Sequence, residues 1–171
     1  TGEMGIGNTT TSSAVASVLL GDEPTEITGR GAGLTNEGLE RKIHAIEKAI
    51  AVNRPKWDDP VDVLAKVGGF DLAAMAGAFL GGAIYHVPVV IDGVIAAAAA
   101  AAAGRIAPAA TDYMLAAHVS AEPASIWLLD LIGVTPAIQA GLRLGEGTGA
   151  LALFPLLDMA LSIYRDMDTF A

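Results

Sequence analysis

Apolar and polar residues alternate in blocks along this chain, and the blocks carry two periods. From Thr9 to Leu20, small and apolar residues fit a helix, opened by Asn8 or Thr9 as N-cap and closed near Gly21. A Gly- and Thr-rich loop, "DEPTEITGRGAGLTNEG", follows. Leu39, Ile43, Ile46 and Ile50 then recur at helical spacing and predict a helix from about Asn36 to Val52. "NRPKWDDP" reads as a turn, and Pro60 or Val61 opens a short helix ending at Gly68-Gly69. "DLAAMAGAFLGGAIY" predicts a buried helix whose small residues permit close packing.

"VPVVID" (Val87–Asp92) is a short unbroken apolar run, the form a strand takes inside a parallel sheet. The alanine run Ala96–Ala103 makes the next helix, a core element rather than a functional one. "YMLAAHV" (Tyr113–Val119) predicts a second strand, "PASIWLLDLIG" a helix, and "AGLRLG" (Ala140–Gly145) a third strand. A long helix covers roughly 148–165, with Pro155 bending it or lying in its first turns. Strands alternating with helices predict an α/β fold with a parallel sheet.

Composition narrows the class. Of the 171 residues, 53% are hydrophobic, which raises the question of a membrane span. The most apolar stretch, from Val87 through Ala103, is broken by Pro88, Asp92 and Gly93 and falls short of about 20 apolar residues in a row. A buried interior away from membranes is expected instead. The net charge of −9, with no basic cluster, argues against nucleic acid as a partner. The chain contains no cysteine, which excludes disulfides and thiol chemistry and fits a cytoplasmic protein. His44, His86 and His118 lack metal-ligand spacing, so no metal or other cofactor is expected.

In parallel sheets, chemistry gathers at the carboxyl ends of strands. "GEMGIGNTT", "IDG", "HVSAE" and "LGEGTGA" meet that description. In the first, Gly5 and Gly7 permit close backbone approach, and Asn8-Thr9-Thr10 offer amides and hydroxyls at a helix N-terminus, where an anion is favoured. A structural turn with an N-cap explains the same residues. Glu146 lies between two glycines at a helix entry. It is either an acid favoured by the helix dipole or a carboxylate open to a ligand, and in an apolar setting it would become a general base near neutral pH. Lys42, at about 100° per residue, lies roughly 60° from Leu39 on the helical wheel. It either snorkels to solvent or reaches inward to an anion. Asp71, Asp92 and Ser120, read singly, are caps or turn formers.

Taken together, "GEMGIGNTT", "GRGAGL", "DVLAKVGGFD", "MAGAFLGGA", "VVIDG", "RIAP", "HVSAE" and "RLGEGTGA" resemble, in order, the nicotinate-nucleotide–dimethylbenzimidazole phosphoribosyltransferase family of cobalamin biosynthesis. The resemblance implies transfer of a phosphoribosyl group from nicotinate mononucleotide to dimethylbenzimidazole, giving α-ribazole phosphate and nicotinate, without a cofactor. It implies that Glu146 is the general base and Glu3 a second active-site carboxylate. Gly5, Ile6, Gly7 and Asn8 would form the phosphate loop, joined by Lys42 and Ser120, with Asp92 and Gly31 near the sugar and phosphate. Because family members are about twice as long, it also implies that residues 1–171 are the C-terminal part of one Rossmann-like three-layer domain. The N-terminal half would be absent, the helix over 148–165 would pack in a helical small domain, and the isolated chain would have weak or no activity. The family is dimeric, so a homodimer is expected. The competing expectation is a non-catalytic nucleotide-binding module that assembles through exposed apolar faces.

Overall fold

The alanine run lies at the centre of the molecule, not at its edge. The structure, a computed structural model, describes residues 1–168. Helix α6 (Val94–Ile106) carries the run, and every residue from Ala98 to Ala103 is wholly shielded from solvent. It packs against α1 (Asn8–Leu20), α4 (Pro60–Val67), α5 (Phe70–Ile84) and α7 (Ala124–Leu131). A helix enclosed on all sides must be apolar all round. Alanine meets that demand, has the best helix propensity, and lets neighbouring axes come close. Phe79, Leu72, Val63, Val15 and Leu128 fill the surrounding space.

Helix α3 (Asn36–Asn53) packs on α1 from outside this centre. Its buried line is Gly38, Lys42 and Ile46, with Leu39, Ile43 and Ile50 half-buried beside it. Its N-cap is Thr35, whose hydroxyl accepts from the Gly38 N–H at 3.2 Å. Asp59 caps α4 in the same manner, accepting from the Val61 and Asp62 N–H groups. A short helix, α2 (Pro24–Ile27), forms within the predicted loop and buries Ile27.

The sheet is small. Strand β1 (Val89–Ile91) pairs in parallel with β2 (Met114–Ala116), in the register Val89–Met114, Val90–Leu115 and Ile91–Ala116. Both strands are shorter than predicted, and a 3-10 helix, Pro108–Tyr113, takes the start of the second. The α/β class with a parallel sheet flanked by helices stands, but the third strand predicted at Ala140–Gly145 does not form. Gly141 and Gly145 adopt left-handed φ values of 64° and 81°, which interrupt an extended ladder. The pairing lies earlier instead: Ala137 and Ile138 donate to the Ala116 and Ala117 carbonyls at 3.1 and 3.0 Å, and His118 bridges Ile138 in parallel.

Helix α8 (Thr148–Asp166) rests on β1 and β2 through Ala150 and Leu153, which cluster with Val90 and Ala117. Pro155 lies in its interior, where it withholds an N–H from the helical ladder. Leu151, Phe154, Met159, Ile163 and Tyr164 remain exposed along it. Among the described residues no helix is long and apolar enough to cross a membrane.

This packing predicts the response to overfilling. Ala99→Leu should destabilise the fold by about 1–3 kcal/mol, because Ala99 is wholly buried and the added methylenes must displace packed neighbours. Urea unfolding should show a lower midpoint with an unchanged slope. An unchanged midpoint would contradict the packing described.

Candidate active site

The opening loop turns twice through left-handed glycines, Gly5 at φ 73° and Gly7 at φ 75°, before α1 begins at Asn8. Gly7 is the N-cap, and no side chain caps the helix. Asn8, predicted as a cap, serves another purpose. Its Nδ2 donates to Oε2 of Glu3 and, at 2.7 Å, to Oδ2 of Asp71 at the start of α5. The same Glu3 oxygen accepts from the Gly5 N–H at 2.6 Å. The Glu3 carboxylate is thus fixed by its own loop, while the uncapped first turn of α1 keeps its partial positive charge beside it.

Glu146 reaches the same place from the far end of the sequence. Gly145, Glu146 and Gly147 are consecutive left-handed residues at φ 81°, 58° and 80°. A non-glycine residue held there costs about 1–3 kcal/mol and persists only where its surroundings enforce it. The Glu146 N–H donates to the Glu3 carbonyl oxygen at 3.1 Å. A Cβ on Gly2 would collide with the Gly147 backbone, so the two loops touch directly. Asp92, buried at the carboxyl end of β1, accepts from the Gly147 N–H at its Oδ2 and from the Ala150 N–H at its Oδ1, both at 3.0 Å. The buried His118 ring sits against Gly149, with Nε2 3.9 Å from Asp92 Oδ1.

The third wall comes from α3 and the loop beyond α2. Lys42 is buried, and its Nζ donates to the Gly29 carbonyl at 2.9 Å and to Oγ1 of Thr9 at 3.1 Å. Burial holds its ammonium below the usual lysine pKa, while the charge of Glu122 acts in the opposite direction. Glu122 in turn accepts from the Gly31 N–H at 2.9 Å. Ser120, also buried, accepts weakly from the Glu122 N–H at 3.4 Å and donates its own N–H to Ser125 Oγ at 3.1 Å.

A cleft of about 160 Å³ lies between these walls, and Glu3, Gly5, Gly31, Asp92 and Ser120 all line it. Ile6, Gly7 and Asn8 do not; they border an adjoining open groove with Glu3 and Asp71. Lys42 stands one layer behind, touching the wall through Thr9. Glu146 is exposed at the rim, with Gly145 beside it in the lining. The apolar setting that would make it a base by burial is therefore not present in this chain. Thr9, named with Asn8 and Thr10 as an anion-binding hydroxyl, lies in the lining, and two further lining residues carry chemistry that pattern and motif do not single out: Glu122 and Arg143. Glu122 and Arg143 stand inside "HVSAE" and "RLGEGTGA", and the arginine lies only three positions before the glycine-flanked acid, a proximity that could have marked it. Among the described residues no three His, Asp or Glu side chains gather as a metal site.

The chain as a whole is similar to known proteins. A family model described as Phosphoribosyltransferase matches residues 1–171. The chain belongs to this phosphoribosyltransferase family. The nicotinate-nucleotide–dimethylbenzimidazole phosphoribosyltransferase of Ruminiclostridium cellulolyticum is 53% identical over 170 residues, covering 99% of the chain and 48% of that protein. The enzyme of the same name from Clostridium acetobutylicum is 52% identical over the same share. A crystal structure of CobT from Thermus thermophilus superposes with a TM-score of 0.89 at 42% identity, covering 95% of the chain and 48% of that structure. The chain thus spans about half the length of the relatives it matches.

Two glycine substitutions should separate the site's packing from ordinary helix propensity. Gly149→Ala places a methyl on the His118 ring and 2.7 Å from Asp92 Oδ1. It should destabilise the fold by about 1–3 kcal/mol despite the better helix former. Gly77→Ala on α5 meets open space and should be neutral or stabilising by about 0.5–1 kcal/mol. Thermal unfolding of both variants checks this, and equal shifts would contradict the contact between α8 and His118.

Proposed function

We propose that this chain carries the phosphate-binding and base-bearing part of an enzyme that transfers phosphoribosyl from nicotinate mononucleotide to dimethylbenzimidazole, as its relatives' names describe. The observation that carries this is the Glu146–Glu3 backbone bond. It brings two acids to one mouth of a cleft, next to an uncapped helix N-terminus.

In this scheme the uncapped turn of α1, with Gly5, Ile6, Gly7 and Asn8, holds the substrate phosphate. Lys42 adds positive charge from behind Thr9, and Arg143 supplies a cation in the lining itself. Ser120 joins the phosphate site and Gly31 borders the sugar, while Asp92 lines the cleft with both carboxylate oxygens bonded to backbone N–H groups. The phosphate contributes remote binding energy that fixes the ribose relative to the incoming base. One benzimidazole nitrogen attacks the anomeric carbon while Glu146 takes the proton from the other. The bond to nicotinate breaks with its electrons going to the pyridine nitrogen, which leaves neutral. Positive charge that builds on the ribose as that bond stretches is stabilised by the Glu3 carboxylate. The burial that tunes Glu146 as a base would come from contacts beyond this chain.

Helix α8, apolar along its exposed side, fits a place in a helical subdomain or at the interface of a homodimer, in a cytoplasmic protein. The same exposure favours a second reading, a non-catalytic module that assembles through α8. Product formation separates the two.

The test is a steady-state assay of nicotinate release, run on the chain alone and on a fusion to the half of the Clostridium acetobutylicum relative that it does not match. The chain alone should turn over weakly or not at all. In the fusion, Glu146→Gln should lower turnover by roughly 10²–10⁴-fold, with nicotinate mononucleotide binding largely retained by calorimetry. Normal turnover in Glu146→Gln would remove Glu146 from the role of base.

A further inference from the structure

Asp92 presents a conflict between where it lies and what it does. It borders the cleft, as a ligand of the sugar would, yet both carboxylate oxygens are engaged by backbone N–H groups of a single junction. Those groups, on Gly147 and Ala150, flank the entry of α8. The acid between the glycines of that entry is Glu146, in a left-handed conformation that its side chain disfavours.

We infer that Asp92 is a positioning residue for Glu146, acting through the 145–147 turn and not by touching substrate. This rests on the role proposed for Glu146 above. Three features support it. A carboxylate bonded at two points three residues apart fixes the angle of the turn as well as its place. Asp92 is 3% exposed and follows directly on β1, where the Ile91 carbonyl accepts from the Ala117 N–H at 3.0 Å, so the clamp is tied to the sheet. His118, at the end of the neighbouring strand, backs the same carboxylate and fills the space where Gly149 lacks a Cβ.

The turn is therefore held from two sides, by the Glu3 carbonyl on the Glu146 N–H and by Asp92 on the Gly147 and Ala150 N–H groups. Loss of the Asp92 side should let the strained turn relax while the Glu3 side keeps the loops in contact. The base would then be displaced but not removed, and a displacement of about 1 Å can cost roughly 10²-fold in rate.

Asp92→Asn keeps the shape but replaces one acceptor with a donor. In the fusion described above, kcat should fall between about 10- and 10²-fold while KM for nicotinate mononucleotide changes by less than about twofold. Asp92→Asn combined with Glu146→Gln should be no slower than Glu146→Gln alone, because both remove the same contribution. Amide exchange at Gly147–Leu151 should accelerate by about tenfold or more, with Ala97–Ala103 unaffected. Gly147→Ala, which strains the same turn at φ 80° with open space around its methyl, should reproduce the pattern without altering Asp92. A raised KM with kcat retained would make Asp92 a nucleotide ligand and overturn the inference. So would additive loss in the double variant, or faster exchange throughout α6. The exchange arm needs no turnover. If the parent fusion is inactive, the transferase reading fails, while unchanged exchange in Asp92→Asn would separately overturn the clamp.

Discussion

A backbone hydrogen bond from the Glu146 N–H to the Glu3 carbonyl oxygen joins the two ends of the sequence at one point. The cleft depends on it. Without that bond, the opening loop would be held to the rest of the molecule by Thr1 on the Val90 carbonyl and by Asn8 on Asp71, and the 145–147 turn by Asp92. Being a main-chain bond, it is indifferent to side-chain identity, and it leaves both carboxylates available for other contacts. Glycines make the approach possible, since Gly2 has no Cβ to strike Gly147 and both flanks of Glu146 accept the left-handed region.

What keeps these loops in register is a core built mainly of helices. The two-stranded sheet is too small to organise the molecule alone, whereas α6 touches four other α-helices and the 3-10 helix. Its first residues, Val94, Ile95 and Ala96, also line the cleft, so the floor of the site is the end of the most deeply buried element. A site placed on such an element inherits its rigidity. The loops above it need only a few hydrogen bonds to settle into one arrangement, and Asp92, Lys42 and Glu122 provide several of them.

Much of this is legible in the sequence, because helix starts and stops are local signals. Gly21, Asp59-Pro60 and Gly68 end or open helices within a residue or two of where composition places them. The missing third strand shows the limit. Leu142 and Leu144 alternate as a strand should, but Gly141 and Gly145 take conformations that only the tertiary setting selects. Periodicity places Lys42 beside a buried stripe, and the stripe in fact runs through it. Its partners, Thr9 and the Gly29 carbonyl, cannot be named from periodicity. Asn8 fails as a predicted cap for a similar reason: its amide is claimed by Asp71, whose approach depends on how α5 packs. Local pattern finds residues able to do chemistry, and long-range packing decides which of them meet.

The central claim is that the opening loop, Gly31, Ser120 and the 145–147 turn form one anion-binding site across the cleft and its adjoining groove. Titrating nicotinate mononucleotide into the isotope-labelled chain and following backbone amide resonances tests it most directly. The largest shifts should fall at Gly5–Thr10, Gly31, Ser120 and Gly145–Gly147, all with one dissociation constant. Shifts confined to the apolar groove between α4 and α5, around Val61, Phe70 and Leu80, would contradict the account.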